Sequence, residues 1–356
     1  MAIDERLLGM LQYMVDQNAS DLHIGACVVP YVRINGLLRP ADFPALSAED
    51  TGHLLFSIMS EQEIKQYMEL KTYDFAYGDR ALGRFRINVY QQRGSLAAAI
   101  RMLPCDPPTL EELGLPIKIV KQFCNLSHGL VLICGPVGTG KTTTLASIIN
   151  FINRTRSSHI FSIEDPIEYV HQNVLSLVHQ REVHRDTPNF TDALRYILRE
   201  DPNIVVIGEM RDLETIASAI TIAETGHLVF GTLHTGDASE SISRMVDVFP
   251  PVQQVQISVQ LAYALRGVIN QVLLPKTDNS GRLLACEIMV VTGAIQNLIR
   301  ENKLEQIYSH IQMGGEQGMQ TMNQALAQLV KVNKITKEAA FSKTKKPQEL
   351  LKLLER

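Results

Sequence analysis

No C-x-x-C pair occurs in this chain, although it carries five cysteines, Cys27, Cys105, Cys124, Cys134 and Cys286. The odd count and wide spacing point neither to a zinc ribbon nor to a thioredoxin-like redox site, and suit the scattered reduced thiols of a cytosolic protein. No apolar run approaches the roughly 20 residues that a membrane-spanning helix needs. The opening M-A-I-D-E-R lacks a charged-then-apolar leader. The expectation is therefore a cytoplasmic protein without direct membrane insertion, which can still work at a membrane through partners. An excess of one charge is missing too. With 34 basic and 38 acidic residues the formal net charge is −4, which offers no global attraction to nucleic acid or to an anionic membrane. No internal repeat is visible.

What remains is an ordinary composition, 45% apolar and 20% charged over 356 residues, with room for two domains. The proline-rich stretch Pro104-Cys105-Asp106-Pro107-Pro108-Thr109 favours a stiff, extended connection. It places the boundary between a domain at 1–103 and one at 116–356, with 104–115 as linker. In the first, Leu7, Leu8, Leu11, Met14 and Val15 form the apolar stripe of a helix over 3–17. Tyr31 to Leu38 reads as a hairpin turning at Asn35-Gly36. A helical stretch over 47–70 and strands at 72–77, 84–91 and 95–103 complete a small α+β domain. In the second, strands at 130–134, 159–163, 204–208, 227–232 and 282–289 alternate with helices at 141–153, 190–199, 213–224 and 252–269, the pattern of an α/β sheet. From about 292 the chain reads as helical. Its many late lysines, Lys345 among them, suit a solvated face or a frayed tail.

The stretch Gly135-Pro136-Val137-Gly138-Thr139-Gly140-Lys141-Thr142 reads G-x-x-x-x-G-K-T. Its glycines let backbone N–H groups converge on phosphate oxygens. Lys141 brings a positive charge to the β- and γ-phosphates, and the Thr142 hydroxyl, followed by Thr143, is placed to ligate Mg²⁺. The apolar run G-L-V-L-I-C precedes the loop, and Leu145, Ile148, Ile149 and Ile152 follow at helical spacing. The loop thus joins a buried strand to a helix whose N-terminus faces the phosphates. ATP with Mg²⁺ is the expected ligand.

Cleavage of a triphosphate also needs acids near the metal and a group that handles water. Glu164-Asp165 and Glu209 each follow an apolar strand, where ligands bind in open α/β sheets. Glu164 and Glu209 are candidate Mg²⁺ ligands, directly or through water, alongside Thr142. His227 and His234 flank a strand in G-H-L-V-F-G-T-L-H-T. An imidazole there either hydrogen-bonds a γ-phosphate or caps a strand end. His179 and His184 have metal-like spacing but no cysteine near them, which argues against a metal site. Arg86 and Arg101 lie on adjacent strands far in sequence from the loop, and matter only if a neighbouring subunit brings them to the nucleotide.

Several stretches together resemble one family, the secretion-superfamily hexameric ATPases, and within it the type IV pilus retraction ATPases. They are Ala19-Ser20-Asp21-Leu22-His23, the phosphate loop, Ile163-Glu164-Asp165-Pro166-Ile167-Glu168-Tyr169-Val170-His171, Arg199-Glu200-Asp201-Pro202 running on through Glu209-Met210-Arg211-Asp212-Leu213-Glu214, and Ala223-Glu224-Thr225-Gly226-His227 through Thr232-Leu233-His234-Thr235. The resemblance implies a PAS-like N-terminal domain and a RecA-like ATPase domain in a homohexameric ring. It implies Glu209 as catalytic glutamate, Glu164 as the acid that arranges Mg²⁺ and water, and His227 and His234 as γ-phosphate sensors. Arg86 and Arg101 would reach a neighbour's nucleotide. The implied partners are an inner-membrane pilus platform protein and, left open, a second retraction ATPase.

The segment Gly293-Ala294-Ile295-Gln296-Asn297-Leu298-Ile299-Arg300-Glu301 departs from the family's pattern, with Gln296 where an arginine is expected. An assembly or type II secretion ATPase of the same superfamily is the nearest alternative, but those usually carry a longer N-terminal region and a four-cysteine zinc insert. A nucleotide-binding regulatory subunit with little turnover is the alternative from another class, and intact Lys141, Thr142, Glu164 and Glu209 speak against it.

Overall fold

A computed structural model describes residues 3–34, 36–79, 81–103, 106–278 and 280–355. The chain divides into two compact units, Met1–Asp106 with the short segment Pro166–Val170, and Pro107–Asp165 with His171–Arg356. Pro104 and Cys105 of the expected linker, and Asn35 of the expected hairpin turn, lie outside the described residues.

The first unit is built on one antiparallel sheet of β1 (Asp21–Ile24), β2 (Tyr31–Ile34), β3 (Leu37–Pro40), β4 (Thr72–Asp79), β5 (Gly83–Gln92) and β6 (Ser95–Leu103), in the order β3-β2-β1-β6-β5-β4. Alternate residues of β5, Phe85, Ile87 and Val89, are fully buried, as the period of a one-sided strand requires. They pack with Leu7, Leu11 and Met14 of the helix Glu5–Asp16. The stretch read as one helix over 47–70 is two, Ala48–Phe56 and Glu61–Leu70. Ser60 breaks it: its side chain caps the second helix by accepting from Glu63 N–H, and the Glu63 carboxylate accepts from Ser60 N–H.

The second unit holds a seven-stranded mixed sheet of β7 (Gly129–Cys134), β8 (His159–Glu164), β9 (Leu177–Glu182), β10 (Ile204–Ile207), β11 (Leu228–Leu233), β12 (Leu265–Pro275) and β13 (Arg282–Val290). Their order is β13-β12-β7-β11-β10-β8-β9, and only the β12–β13 pair is antiparallel. Strand β7 is buried along its whole length. Leu130, Leu132 and Cys134 face one core, while Val131 and Ile133 face another. Both faces are apolar, so both are covered by helices. In the helix Lys141–Thr155, Leu145, Ile148, Ile149 and Ile152 are all buried, each contributing about 1.5–3 kcal/mol.

Strand β12 replaces part of the helix expected over 252–269. That helix ends at Ala264, and Leu265 already lies in extended backbone. The sequence from Leu265 on is L-R-G-V-I-N-Q-V-L-L-P, whose β-branched residues suit a strand. Strand β9 at 177–182 is a further element that the apolar pattern does not show, because only Val178 and Glu182 of it are buried. After residue 292 the chain is helical, as expected. Ile295, Leu298 and Ile299 of the helix Gly293–Arg300 are buried and Gln296 lies half-exposed on its flank. The lysine-rich end is not frayed. It forms the helix Pro347–Glu355 with Leu350 fully buried, and Lys345 Nζ lies 2.7 Å from Asp237 and 3.1 Å from Glu240.

Candidate nucleotide site

In the parallel part of the sheet, β7, β11, β10 and β8 are consecutive neighbours, although β8 follows β7 in the chain. The chain therefore runs outward from β7 through β8 to β9 and returns through β10 and β11, so the connections that leave the neighbouring strands β7 and β11 run in opposite directions. In open α/β sheets the crevice at the C-terminal ends of such strands is where ligands sit. Four segments leave the sheet along this edge: the loop 135–140 after β7, Glu164 at the end of β8, Glu209 after β10, and His234 after β11. Gly208 lets two of them approach. A Cβ there would lie 3.1 Å from the Ile163 carbonyl oxygen and 3.2 Å from Glu164 Cα.

The phosphate loop is anchored at its base and open at its apex. Gly135 is buried and has φ +145°, and a Cβ on it would lie 2.4 Å from the Gln271 carbonyl oxygen. Pro136, Val137 and Gly138 are exposed, whereas Thr139 turns inward and donates its hydroxyl to the Pro136 carbonyl at 2.8 Å. Gly140 adopts φ +84° and opens the helix that begins at Lys141, with Thr142 and Thr143 in its first turn. Lys141 is buried, and its ammonium group donates to the carbonyls of Gly135 at 2.8 Å and Pro136 at 3.1 Å. Burial lowers its pKa, with Glu209 opposing.

From Lys141 a polar run crosses to the second carboxylate. Lys141 Nζ lies 3.2 Å from His234 Nδ1, and His234 Nε2 lies 2.9 Å from Glu209 Oε1. The tautomer with its proton on Nε2 satisfies both contacts: the ammonium donates to Nδ1 and Nε2–H donates to the carboxylate. Burial and the Lys141 charge lower the His234 pKa, so the imidazole is neutral at pH 7. Arg211 grips Glu209 in a fork, Nε to Oε1 at 2.5 Å and Nη2 to Oε2 at 2.7 Å. Burial alone would raise the Glu209 pKa. The guanidinium of Arg211, with His234 and Lys141, more than offsets it and holds the group ionised. Glu164 is buried and accepts from Ser162 Oγ at 2.7 Å and Gln180 Nε2 at 3.1 Å. Thr142, Glu164 and Glu209 are hard oxygen donors along one sheet edge, the donor chemistry that Mg²⁺ takes together with phosphate oxygens and water.

Other expected residues lie elsewhere. His227 precedes β11, and its carbonyl accepts from Gly129 N–H at the start of β7. The six residues of β11 separate it from His234 by roughly 20 Å. Its ring contacts Thr225 Oγ1 and the Ile222 carbonyl, so a shared role at one γ-phosphate does not fit this placement. His179 Nδ1 lies 2.9 Å from His159 Nε2, while His184 sits in a separate turn and donates its N–H to Thr187. In the first unit Arg86 and Arg101 are directly opposed across β5 and β6. Arg86 binds Asp74 through Nη2 at 2.6 Å, and Arg101 Nε binds Asp21 at 2.9 Å. The one local signal for Arg211 is its spacing two residues after Glu209. Nothing local in the sequence distinguishes Ser162, Gln180 or Gln271 as partners of the site.

A phosphate loop, two strand-end carboxylates and a histidine on one sheet edge define a P-loop ATPase. Over residues 99–340 the chain matches the family described as Type II/IV secretion system protein, and it belongs to that family. It is 45% identical to the type IV pilus retraction ATPase PilT of Pseudomonas aeruginosa over 339 residues, 95% of this chain and 98% of that protein. It is 44% identical to the twitching motility protein of Neisseria gonorrhoeae, over 92% of this chain and 87% of that protein. A crystal structure of the pilus retraction motor PilT with bound ADP superposes with a TM-score of 0.91 at 50% identity, covering 97% of this chain and 98% of that one. Among the described residues, no helix is long and apolar enough to cross a membrane.

Proposed function

We propose that this chain is an ATP-hydrolysing motor that works as a homohexamer and retracts type IV pili, so driving twitching motility. Near end-to-end similarity to retraction ATPases supports the biological role. The chemistry rests on one observation, the run Lys141–His234–Glu209 that joins the phosphate loop to an ionised carboxylate.

The triphosphate of ATP lies along Gly135 to Thr143, with its oxygens on the backbone N–H groups and the helix N-terminus. Lys141 exchanges its two carbonyl partners for phosphate oxygens, which are better acceptors for an ammonium group. Thr142, with Glu164 and Glu209 directly or through water, would hold Mg²⁺, which when bound neutralises charge on the β- and γ-oxygens. Glu209 accepts a proton from the attacking water or orients it. Neutral His234 keeps Nε2–H for Glu209 or for a γ-phosphate oxygen, and so registers whether that phosphate is present. Ser162 and Gln180 hold Glu164 in place.

Arg86 and Arg101 would serve a neighbouring subunit's nucleotide, leaving Asp74 and Asp21 as they do so. Turnover would then move the two domains against each other around the ring, and remove pilin through an inner-membrane platform protein. A second retraction ATPase is a further candidate partner. The test pairs two assays. Purified protein should release phosphate from ATP and the Glu209→Gln variant should not; equal release would favour a regulatory subunit. A deletion strain should carry excess, non-retracting pili that Lys141→Ala fails to correct; absent pili would favour an assembly ATPase.

A further inference from the structure

Strand β12 pairs with β7 as far as Asn270 opposite Cys134, the residue before the phosphate loop. Asn270 and Gln271 are consecutive, so their side chains leave opposite faces of the strand. Both are buried. Gln271 Nε2 donates to the Thr139 carbonyl of the phosphate loop at 2.7 Å. Asn270 Nδ2 donates to the Gly236 carbonyl, two residues after His234, at 2.8 Å. Directly across the β12–β13 pair from Asn270 stands Glu287. Its Oε1 accepts from Ala238 N–H at 2.9 Å, at the start of the helix that follows the histidine loop.

We propose that Asn270, Gln271 and Glu287 are positioning residues for hydrolysis, tying the phosphate loop and the His234 loop to one strand pair so that each loop is set by the other. Asn270 Oδ1 and Gln271 Oε1 are buried and have no hydrogen-bond partner among the described residues. Such an atom costs stability, and apolar residues of similar shape would avoid that cost. The two amides are therefore kept for where they hold the loops. Through Gln271 the strand sets the carbonyl of Thr139, two residues before Lys141. Through Asn270 and Glu287 it sets the backbone on the far side of His234. The distance between Lys141 Nζ and His234 Nδ1 is thus determined from both ends by β12 and β13.

This inference rests on the reading of His234 as a γ-phosphate contact. The experiment is a double-mutant cycle on the full chain, read as kcat, KM for ATP and ADP affinity. Asn270→Leu should lower kcat about tenfold or more while ADP affinity stays within about twofold. In a His234→Ala background the same change should cost no more than about twofold further, because the residue it acts through is gone. Gln271→Met should instead weaken ADP binding, since it frees the phosphate loop. An equal loss from Asn270→Leu in both backgrounds, or a wild-type kcat, overturns the inference while leaving His234 in its role. A wild-type kcat for His234→Ala removes both. Where Asn270→Leu does not fold, Asn270→Ala carries the same cycle.

Discussion

Glu209 meets an imidazole N–H and a two-pronged guanidinium at once, and its ionisation depends on that company. Removing Arg211 takes away the strongest force holding its pKa down and leaves burial, which pushes it up. The acid limb of the kcat profile should then move to higher pH in Arg211→Ala; an unmoved limb would show that Arg211 does not govern the carboxylate. Gly135 is constrained by two independent features, a positive φ and a backbone oxygen 2.4 Å from where a Cβ would stand. Gly135→Ala should cost about 1–3 kcal/mol of stability and weaken ADP binding, both readable in one thermal titration with and without ADP. Of these residues, Lys141, Gly135 and Glu209 are legible in the sequence because a phosphate loop and a strand-end acid are local patterns. The role of Arg211 is not, since an arginine near an acid is common on any surface.

At the scale of elements, the β12–β13 pair matters most and is least legible. Its first residues continue the apolar spacing of the preceding helix, so periodicity alone extends that helix too far. Glu287, on β13, is 3% exposed and burial pushes its pKa up to about 7; Asp237 adds to the rise, and Ala238 N–H and Lys345 oppose it. A carboxyl raised from 4.5 to about 7 binds its proton more tightly in the fold than in the unfolded chain. It therefore contributes stability below pH 4.5, and that contribution is lost as pH rises to about 7. Against Glu287→Gln, which does not titrate, the wild type should lose on the order of 3 kcal/mol across that window. Urea unfolding of both proteins at a series of pH values measures it, and a constant difference would contradict the buried acid.

For the whole molecule, the two opposed arginines of the first unit give the oligomer its test. Arg101→Ala and Glu209→Gln should each lose most turnover but keep ADP binding. Mixed and allowed to reassemble, they should recover part of the activity, since some sites would pair an intact Glu209 with a neighbour's intact Arg101. No recovery, with mixed assemblies shown to form, would sink arginine action between subunits. The belonging of this chain to the secretion ATPases was within reach of its motifs, which are contiguous runs read directly from the sequence.

The residues alone determined the phosphate-loop motif, which acids follow strands, and that an α/β sheet carries them, because each of these depends on neighbours in the chain. Tertiary structure alone decided what stands beside what. It set Lys141 against His234 across 93 residues and Gln271 against Thr139 across 132, and it placed His227 at the other end of its strand. The physical reason is strand order. Which strand ends meet at one edge depends on how the whole sheet packs between its two cores, and no local stretch encodes that.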